Sequence, residues 1–421
     1  MIKASDKLII TENAVFQFGK SWTADEAYNT GGHYAGNAVH AAWGKNDAAL
    51  HEMHALTSDN STQWRLLTTR RDFVIGNGAR VKTIVEENGE EVLKFVSDEV
   101  TKSIKEFVRR TSLDLIFKNA GLSIEFCGRY FIKITIGFDL KVESLELIDV
   151  FQCRPRLLQA GESKVTAYVL NPAFGKPNYR RTNDVVLPAF DAKNPTKYGV
   201  SIIDIKEDLP GQYYNPFALW WGTKDWTIVS NKIAKFHISG LDNGYNIKYH
   251  ISIPDNYFEQ DGLTEKEEEI LKQNVCQQIS DSLKGVDKNN SVFFTFHPID
   301  VNGKEMKGVT VTPLPNNLSD DAYTLLQQTA MKIETSACGL VPVLAGVDTG
   351  SKLGGSGKEM EVAANYTQNF LTASSRGLLL RLFEYCRLLE GWPDEKVLEF
   401  ENFKMYNVDT TPTASNQNPN D

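Results

Sequence analysis

The stretch that most constrains this chain is residues 319–392, which reads as a helix, a glycine-rich interruption and a second, much longer helix. Ser319 is placed to cap the first helix, and Asp320 and Asp321 follow in its first turn, where carboxylates favour the helix dipole. Ala322, Leu325, Leu326, Thr329, Ile333 and Ala337 recur at helical spacing, and Gly339 and Pro342 supply the stop. Residues 346–359, GVDTGSKLGGSGKE, hold five glycines and no apolar period. The second helical run opens near Met360 and continues to Gly391-Trp392-Pro393, with Tyr366, Phe370, Ala373, Leu380 and Phe383 among its apolar positions. As one continuous helix it would be roughly 45 Å long. Two helices joined by a glycine-rich segment predict a loop presented to a partner rather than a buried turn.

A chain of 421 residues is too long for one ordinary core and implies several structural units. The formal net charge of -9 argues against a broad basic face that grips nucleic acid, but permits a protein that encloses nucleic acid without gripping it. Five cysteines, Cys127, Cys153, Cys276, Cys338 and Cys386, are widely spaced with no CxxC, so free thiols in a reducing compartment are expected. The opening MIKASDKLII has no signal-peptide shape, and no long apolar run occurs, so cytoplasmic synthesis without a membrane partner is expected.

Taken in order, a helical segment is expected within 24–56, then a helix over 64–71 and a tight turn at Gly76-Asn77-Gly78 leading into a strand at 79–85. The acidic run 86–91 reads as a turn. Val92, Phe95, Val96, Val100, Ile104, Phe107, Val108 and Leu113 keep a three-to-four spacing, which predicts one amphipathic helix over 92–120, closed near Gly121. From 122 the period changes to alternation, which predicts strands within 122–150, at 165–170 and at 200–205, in an α+β region with a mainly antiparallel sheet. Asn215-Pro216 has the form of a cap and first helical residue, with a helix to Gly240. A strand at 247–253, a helix opened by the Thr264–Glu267 capping box, strands at 292–297 and 309–312 around an Asn302-Gly303 turn, and a short strand or helix at 397–403 complete the pattern. The polar tail 405–421 is expected to be disordered.

Four segments in this order resemble the portal proteins of tailed bacteriophages: RLLTTRRDFVIGNGARV, IEFCGRYFIKITIGFDLKVESLELIDVFQCRPRL, QYYNPFALWWGTKDWTIVSNKIAKFHISGLDNGYNIKYHISIP and VPVLAGVDTGSKLGGSGKEMEVAANYTQNFL. They span about residues 60–392. The resemblance implies a ring of about twelve copies at a capsid vertex, closed by cyclic symmetry. It implies an N-terminal region and wing over 1–212, stem helices at 213–240 and 317–338, and a clip at 241–316 between them. A tunnel loop at 339–358 and a long wing helix with a short crown at 359–404 would follow. The partners it implies are other copies of the chain, double-stranded DNA passing without sequence specificity, the major capsid protein, the large terminase subunit and a head-tail adaptor. It implies no catalysis and no cofactor, and a place in the virion after assembly in a bacterial cytoplasm. Ser351, Lys352, Ser356 and Lys358 would line the tunnel, and Lys224, Lys232 and Lys235 are candidates for a channel-facing side of the first stem helix.

Several stretches invite a sharper chemistry. The glycine-rich stretch fails as a phosphate-binding P-loop, because Gly357-Lys358 precedes Glu359 rather than Ser or Thr, and Lys352 stands where the first glycine belongs. His33, His40, His51 and His54 lack the spacing of a zinc-binding HExxH. Trp220, Trp221 and Trp226 could stack on bases, but core or subunit packing, with Trp220, Trp221 and Phe236 at the contacts, fits their apolar neighbours better. The lysines at 224, 232 and 235 are equally a solvated helix face, and Cys338 reads as a buried thiol. Two other readings stay open: a hydrolase-like α+β enzyme with 346–359 at its site, and a non-viral scaffold protein.

Overall fold

A computed structural model of the protein describes residues 2–5, 8–11, 14–17, 39–159, 161–243, 247–254, 264–283, 291–297, 310–313, 320–347 and 357–403. The α+β chain falls into two units, one of residues 1–224 with 332–421, the other of residues 225–331. Ile2–Ser5 (β1), Leu8–Thr11 (β2) and Ala14–Gln17 (β3) form an antiparallel meander. Ala49–Asp59 (α1) and Gln63–Ile75 (α2) follow. Gly76 and Gly78, both at positive φ, turn the chain into Ala79–Glu87 (β4), which pairs with Glu90–Lys94 (β5). The acidic run expected as a turn is mostly ladder instead. Glu86 faces Glu91, Glu87 faces Glu90, and only Asn88-Gly89, both at positive φ, turn the hairpin.

The single helix expected over 92–120 is replaced by a strand and two helices, Glu99–Thr111 (α3) and Leu113–Cys127 (α4). Asp98 caps α3 by accepting from Thr101 N at 2.7 Å, and Ser112 between the helices is left-handed. That break re-aims the chain, so that Ile104 and Phe107 share one core with Ile116, Phe117 and Ala120. Residues 122–127 alternate like a strand in sequence, yet they are the last turns of α4, which Gly128 ends at φ +77.

Arg129–Ile136 (β6) is the middle strand of a sheet, paired with Val142–Ile148 (β7). Cys153–Pro155 (β8), Ala167–Leu170 (β9) and Val185–Pro188 (β10) make a second antiparallel sheet, and Val200–Lys206 (β11) returns to the other edge of β6. The two-residue period of β6 explains the layering. Tyr130, Ile132 and Ile134 enter the core that α3 and α4 cover, while Phe131 enters a second core with Trp43, Leu50, Leu66, Leu67 and Trp220. β6 is therefore buried on both faces.

Asn215-Pro216 does not open a helix. The Asn215 side chain is fully buried, accepting from Arg129 Nη1 at 2.7 Å and donating to Ala41 O and Ala42 O. Committed to those tertiary bonds, it cannot cap, and after a 3-10 turn at Leu219–Thr223 the helix begins only at Lys224 (Lys224–Asn243, α5). In the second unit Ile247–Pro254 (β12) lies between Ser291–His297 (β13), parallel to it, and Thr310–Pro313 (β14), antiparallel. A parallel pair needs a crossover, supplied by Glu265–Leu283 (α6), whose Leu271, Val275, Cys276 and Ile279 pack on Ile251 and Ile253. Glu267 accepts from Thr264 N at 2.9 Å at the start of α6, as the capping box predicted.

Asp320–Ala337 (α7) carries the chain back to the first unit. The long helix expected from Met360 is not continuous. It consists of Gly357–Tyr366 (α8), a π-turn at Thr367–Leu371, and Ala373–Glu390 (α9), closed by left-handed Gly391. Phe383 is buried as expected, but Tyr366 and Phe370 are exposed. Lys396–Phe400 (β15) then pairs antiparallel with β4. Ser319, the Asn302-Gly303 turn, the first part of the helix expected at 24–56, and the tail 405–421 lie outside the described residues. No helix among the described residues is long and apolar enough to cross a membrane.

Candidate functional site

The helical elements on either side of the glycine-rich stretch, α7 and the π-turn with α9, are anchored on α2 and the residues just before it. At the incoming end, Glu334 of α7 is fully buried and accepts from Asn60 Nδ2 at 3.1 Å and Thr62 Oγ1 at 3.4 Å. Asn60 Oδ1 in turn accepts from the backbone N of Thr62 and of Gln63, both at 2.9 Å, where α2 begins. Gln63 Nε2 donates to Cys338 Sγ at 3.4 Å. Burial pushes the Cys338 thiol up to about 12, so it is no nucleophile at neutral pH. Gly339 is left-handed at φ +64, which turns its carbonyl out of α7 and back to α2. A 3-10 turn, Pro342–Ala345, follows, and Val347 N donates to Pro342 O at 3.1 Å.

The exit of α7 and the π-turn that follows α8 meet at the Arg70 guanidinium. Nη1 donates to Gly339 O at 3.0 Å, Nη2 donates to Leu371 O at the end of the π-turn, and Nε lies 3.5 Å from Glu125 Oε2 of α4. Ser375 Oγ of α9 donates to Glu125 Oε1 at 2.8 Å. Burial raises the Glu125 pKa, and Arg70 opposes that shift. A second guanidinium, Arg376 of α9, donates to Val74 O at 2.8 Å, Phe73 O at 3.1 Å and Asn402 Oδ1 at 2.7 Å. Buried Arg70 and half-buried Arg376 thus donate to backbone carbonyls at helix ends and in a π-turn.

The residues singled out in the sequence fare differently. Ser351, Lys352 and Ser356 lie outside the described residues, and Lys358 stands in the first turn of α8 with its side chain outside them as well. The Lys224 ammonium pairs with Glu52 and lies 4.9 Å over the Trp221 ring. Lys232 and Lys235 are exposed on α5. Trp220 is buried in the core with Leu66 and Phe126 and donates from Nε1 to Phe126 O at 2.9 Å, so it presents no exposed face for stacking. Trp221 is half-buried and stacks on Phe217 with centroids 6.2 Å apart. Phe236 is half-buried against Tyr323, 4.7 Å away.

His40, His51 and His54 serve packing: His40 is buried beside Phe174, His51 meets Phe174 O at 2.9 Å, and His54 packs edge-on to Trp64. No group of three or more His, Cys, Asp or Glu side chains among the described residues is placed to hold a metal. Sequence reading missed Arg70, Glu125 and Glu334. The available signal was a charge on an apolar helical stripe, as at Glu334 between Ala330 and Cys338, both buried.

No protein-family model and no curated protein matches the chain. Among solved structures, it is similar to a chain in the virion of a native gene transfer agent particle, with 12% identity, a TM-score of 0.52 and coverage of 86% of this chain and 85% of that one. It is similar to a chain in the neck of the native particle, computed with C12 symmetry, at 14% identity and a TM-score of 0.51 over 83% of this chain and 84% of that chain. A chain in the neck of the empty particle, computed with C6 symmetry, matches at 13% identity and a TM-score of 0.51 over 86% and 85%. The protein shares its α+β fold with chains of phage-like particles along most of both lengths.

Proposed function

We propose that the protein is the portal subunit of a phage-like particle, a ring protein at a capsid vertex through which double-stranded DNA is packaged and ejected. The observation that carries this reading is the shared fold with virion and neck chains over 83% or more of each length, one of them in a neck of C12 symmetry. The order of sequence segments that resembles portals supports it independently. In this reading α5 and α7 belong to the stem helices, residues 241–316 are the clip, and residues 339–358 form the tunnel loop. Lys232 and Lys235 are then the channel-facing cations. Capsid protein, terminase and a head-tail adaptor dock on the ring, and the role is structural rather than catalytic.

DNA that must slide is best served by few tight phosphate contacts, since each adds affinity. A chain of net charge -9, repeated around a ring, meets that requirement. The test is assembly and packaging. Native mass spectrometry and negative-stain microscopy are expected to show closed rings, assembled alone or with scaffold. Deleting residues 352–357 is expected to leave rings intact and to lower DNA packaging or retention. A chain that stays a 47.2 kDa monomer under every assembly condition, scaffold included, would refute the reading.

A further inference from the structure

We infer that Arg70 is the positioning residue that ties the exit of α7 to the π-turn between α8 and α9, and that it holds Thr367–Leu371 in its π conformation. The reasoning begins with the π-turn. A π-turn accommodates one more residue than an α-turn and aligns its carbonyls less well. Here Thr372 N reaches back to Thr367 O at 3.2 Å, the five-residue spacing of a π bond. Thr372 Oγ1 donates to Gln368 O at 2.6 Å, and Arg376 Nη1 approaches the same oxygen at 3.4 Å. The Leu371 carbonyl receives its charged donor from outside the helix, from Arg70.

The same guanidinium holds Gly339 O at 3.0 Å. One planar group therefore ties the exit of α7 to the π-turn after α8, with Glu125, which accepts from Ser375, 3.5 Å from its Nε. The consequence is geometric. Converting the π-turn to regular α-helix would rotate α8 relative to α9 by about 100° and shift it by about 1.5 Å. The start of α8 at Gly357 would be re-aimed, while Gly339 at the exit of α7 stayed put. Arg70 prevents that by making the two positions share one donor. The importance of the clamp for DNA passage rests on the portal reading; the clamp itself does not.

Hydrogen exchange on the assembled protein tests it. Arg70→Met is expected to accelerate exchange roughly ten- to a hundredfold in peptides covering both 340–347 and 367–376, the range for losing charge-assisted bonds. Peptides of β6 and β11 are expected to stay unchanged. Arg70→Lys, with one ammonium for two carbonyls, is expected to fall between wild type and Arg70→Met. Glu125→Gln keeps both carbonyl bonds and is expected to change either site less than Arg70→Lys does. Acceleration at one site only, at neither, or equally in β6 and β11 would overturn the inference. So would an effect of Glu125→Gln as large as that of Arg70→Met, or failure of both Arg70 variants to fold. Because exchange is read on the protein without DNA, a wild-type exchange pattern in Arg70→Met refutes the clamp, whereas a chain that forms no ring under any assembly condition refutes the portal reading.

Discussion

Arg129→Met is the substitution whose cost follows most directly from the structure. The Arg129 side chain is 1% exposed. Its Nε and Nη2 make a bidentate pair with Asp204 at 2.8 and 3.0 Å, and Nη1 donates to Asn215 Oδ1 at 2.7 Å. The guanidinium also lies 4.9 Å from the Phe131 ring and 5.6 Å from the Trp43 ring. Methionine keeps most of the packing but strands the Asp204 carboxylate and one buried oxygen of Asn215. Breaking a buried pair from one side costs about 3–5 kcal/mol. Asp204 would still accept from Tyr168 OH at 2.9 Å, which favours the low end of that range, about 3 kcal/mol. Adding Asp204→Asn removes the stranded charge and is expected to restore about 1–2 kcal/mol, a coupling of the size seen within one network. The assay is urea unfolding of the first unit, followed by tryptophan fluorescence, with the slope checked for constancy across variants. A loss below about 1 kcal/mol, the range of exposed pairs, would refute the reasoning, as would strictly additive single and double substitutions.

Other expectations follow from single sites. Gly76→Ala would place a Cβ 2.0 Å from Glu401 O at φ +54, so it is expected to lower the melting temperature and loosen the pairing of β15 with β4; an unchanged melting temperature would contradict that. Asp98 is held down to about 2, chiefly by its bond from Lys396 and next by Thr101 N, against an ordinary value of 3.8. The folded pKa is the lower one, so its contribution is fully present above about pH 3.8 and disappears as pH falls towards 2. Asp98→Asn is expected to flatten the stability profile in that window, and an identical profile would count against the pairing. Burial raises the pKa of all five thiols, with Cys127 and Cys338 pushed up to about 12, but Cys127, Cys153, Cys338 and Cys386 are also buried from reagent, so in the native chain only half-buried Cys276 is expected to react quickly with a disulfide reagent at pH 8. A second fast equivalent would show that one of those sites opens.

Much of the architecture was legible because local chemistry and the final fold agree. The Gly76-Asn77-Gly78 turn formed where expected, since positive φ at both glycines is a backbone demand that does not depend on the partner. The α6 start at Thr264 and Glu267 and the α7 stop at Gly339 are likewise local hydrogen-bonding and dihedral events. Misreadings occurred where a side chain satisfied a distant group instead of a near one. Asn215 resembles a helix cap, yet Arg129 and the carbonyls of Ala41 and Ala42 claim it. Spacing over 92–120 suits one helix equally well, and only a shared core with α4 favours the left-handed break at Ser112. The candidate site divides similarly, since its glycine-rich segment announces itself by composition while its anchors do not.

By itself the sequence determined the α+β character, the helix–glycine–helix core of the chain, the free thiols and an acidic balance, because each depends on residue type and near-neighbour period. Tertiary structure alone decided that Trp220 belongs to the interior and that Lys224 is occupied by Glu52. It also decided that a π-turn interrupts the long helix and that Arg70 binds carbonyls 269 and 301 positions away. The physical reason is that a buried guanidinium is selected by the unsatisfied oxygens around it, and those oxygens come from segments whose proximity no local pattern encodes.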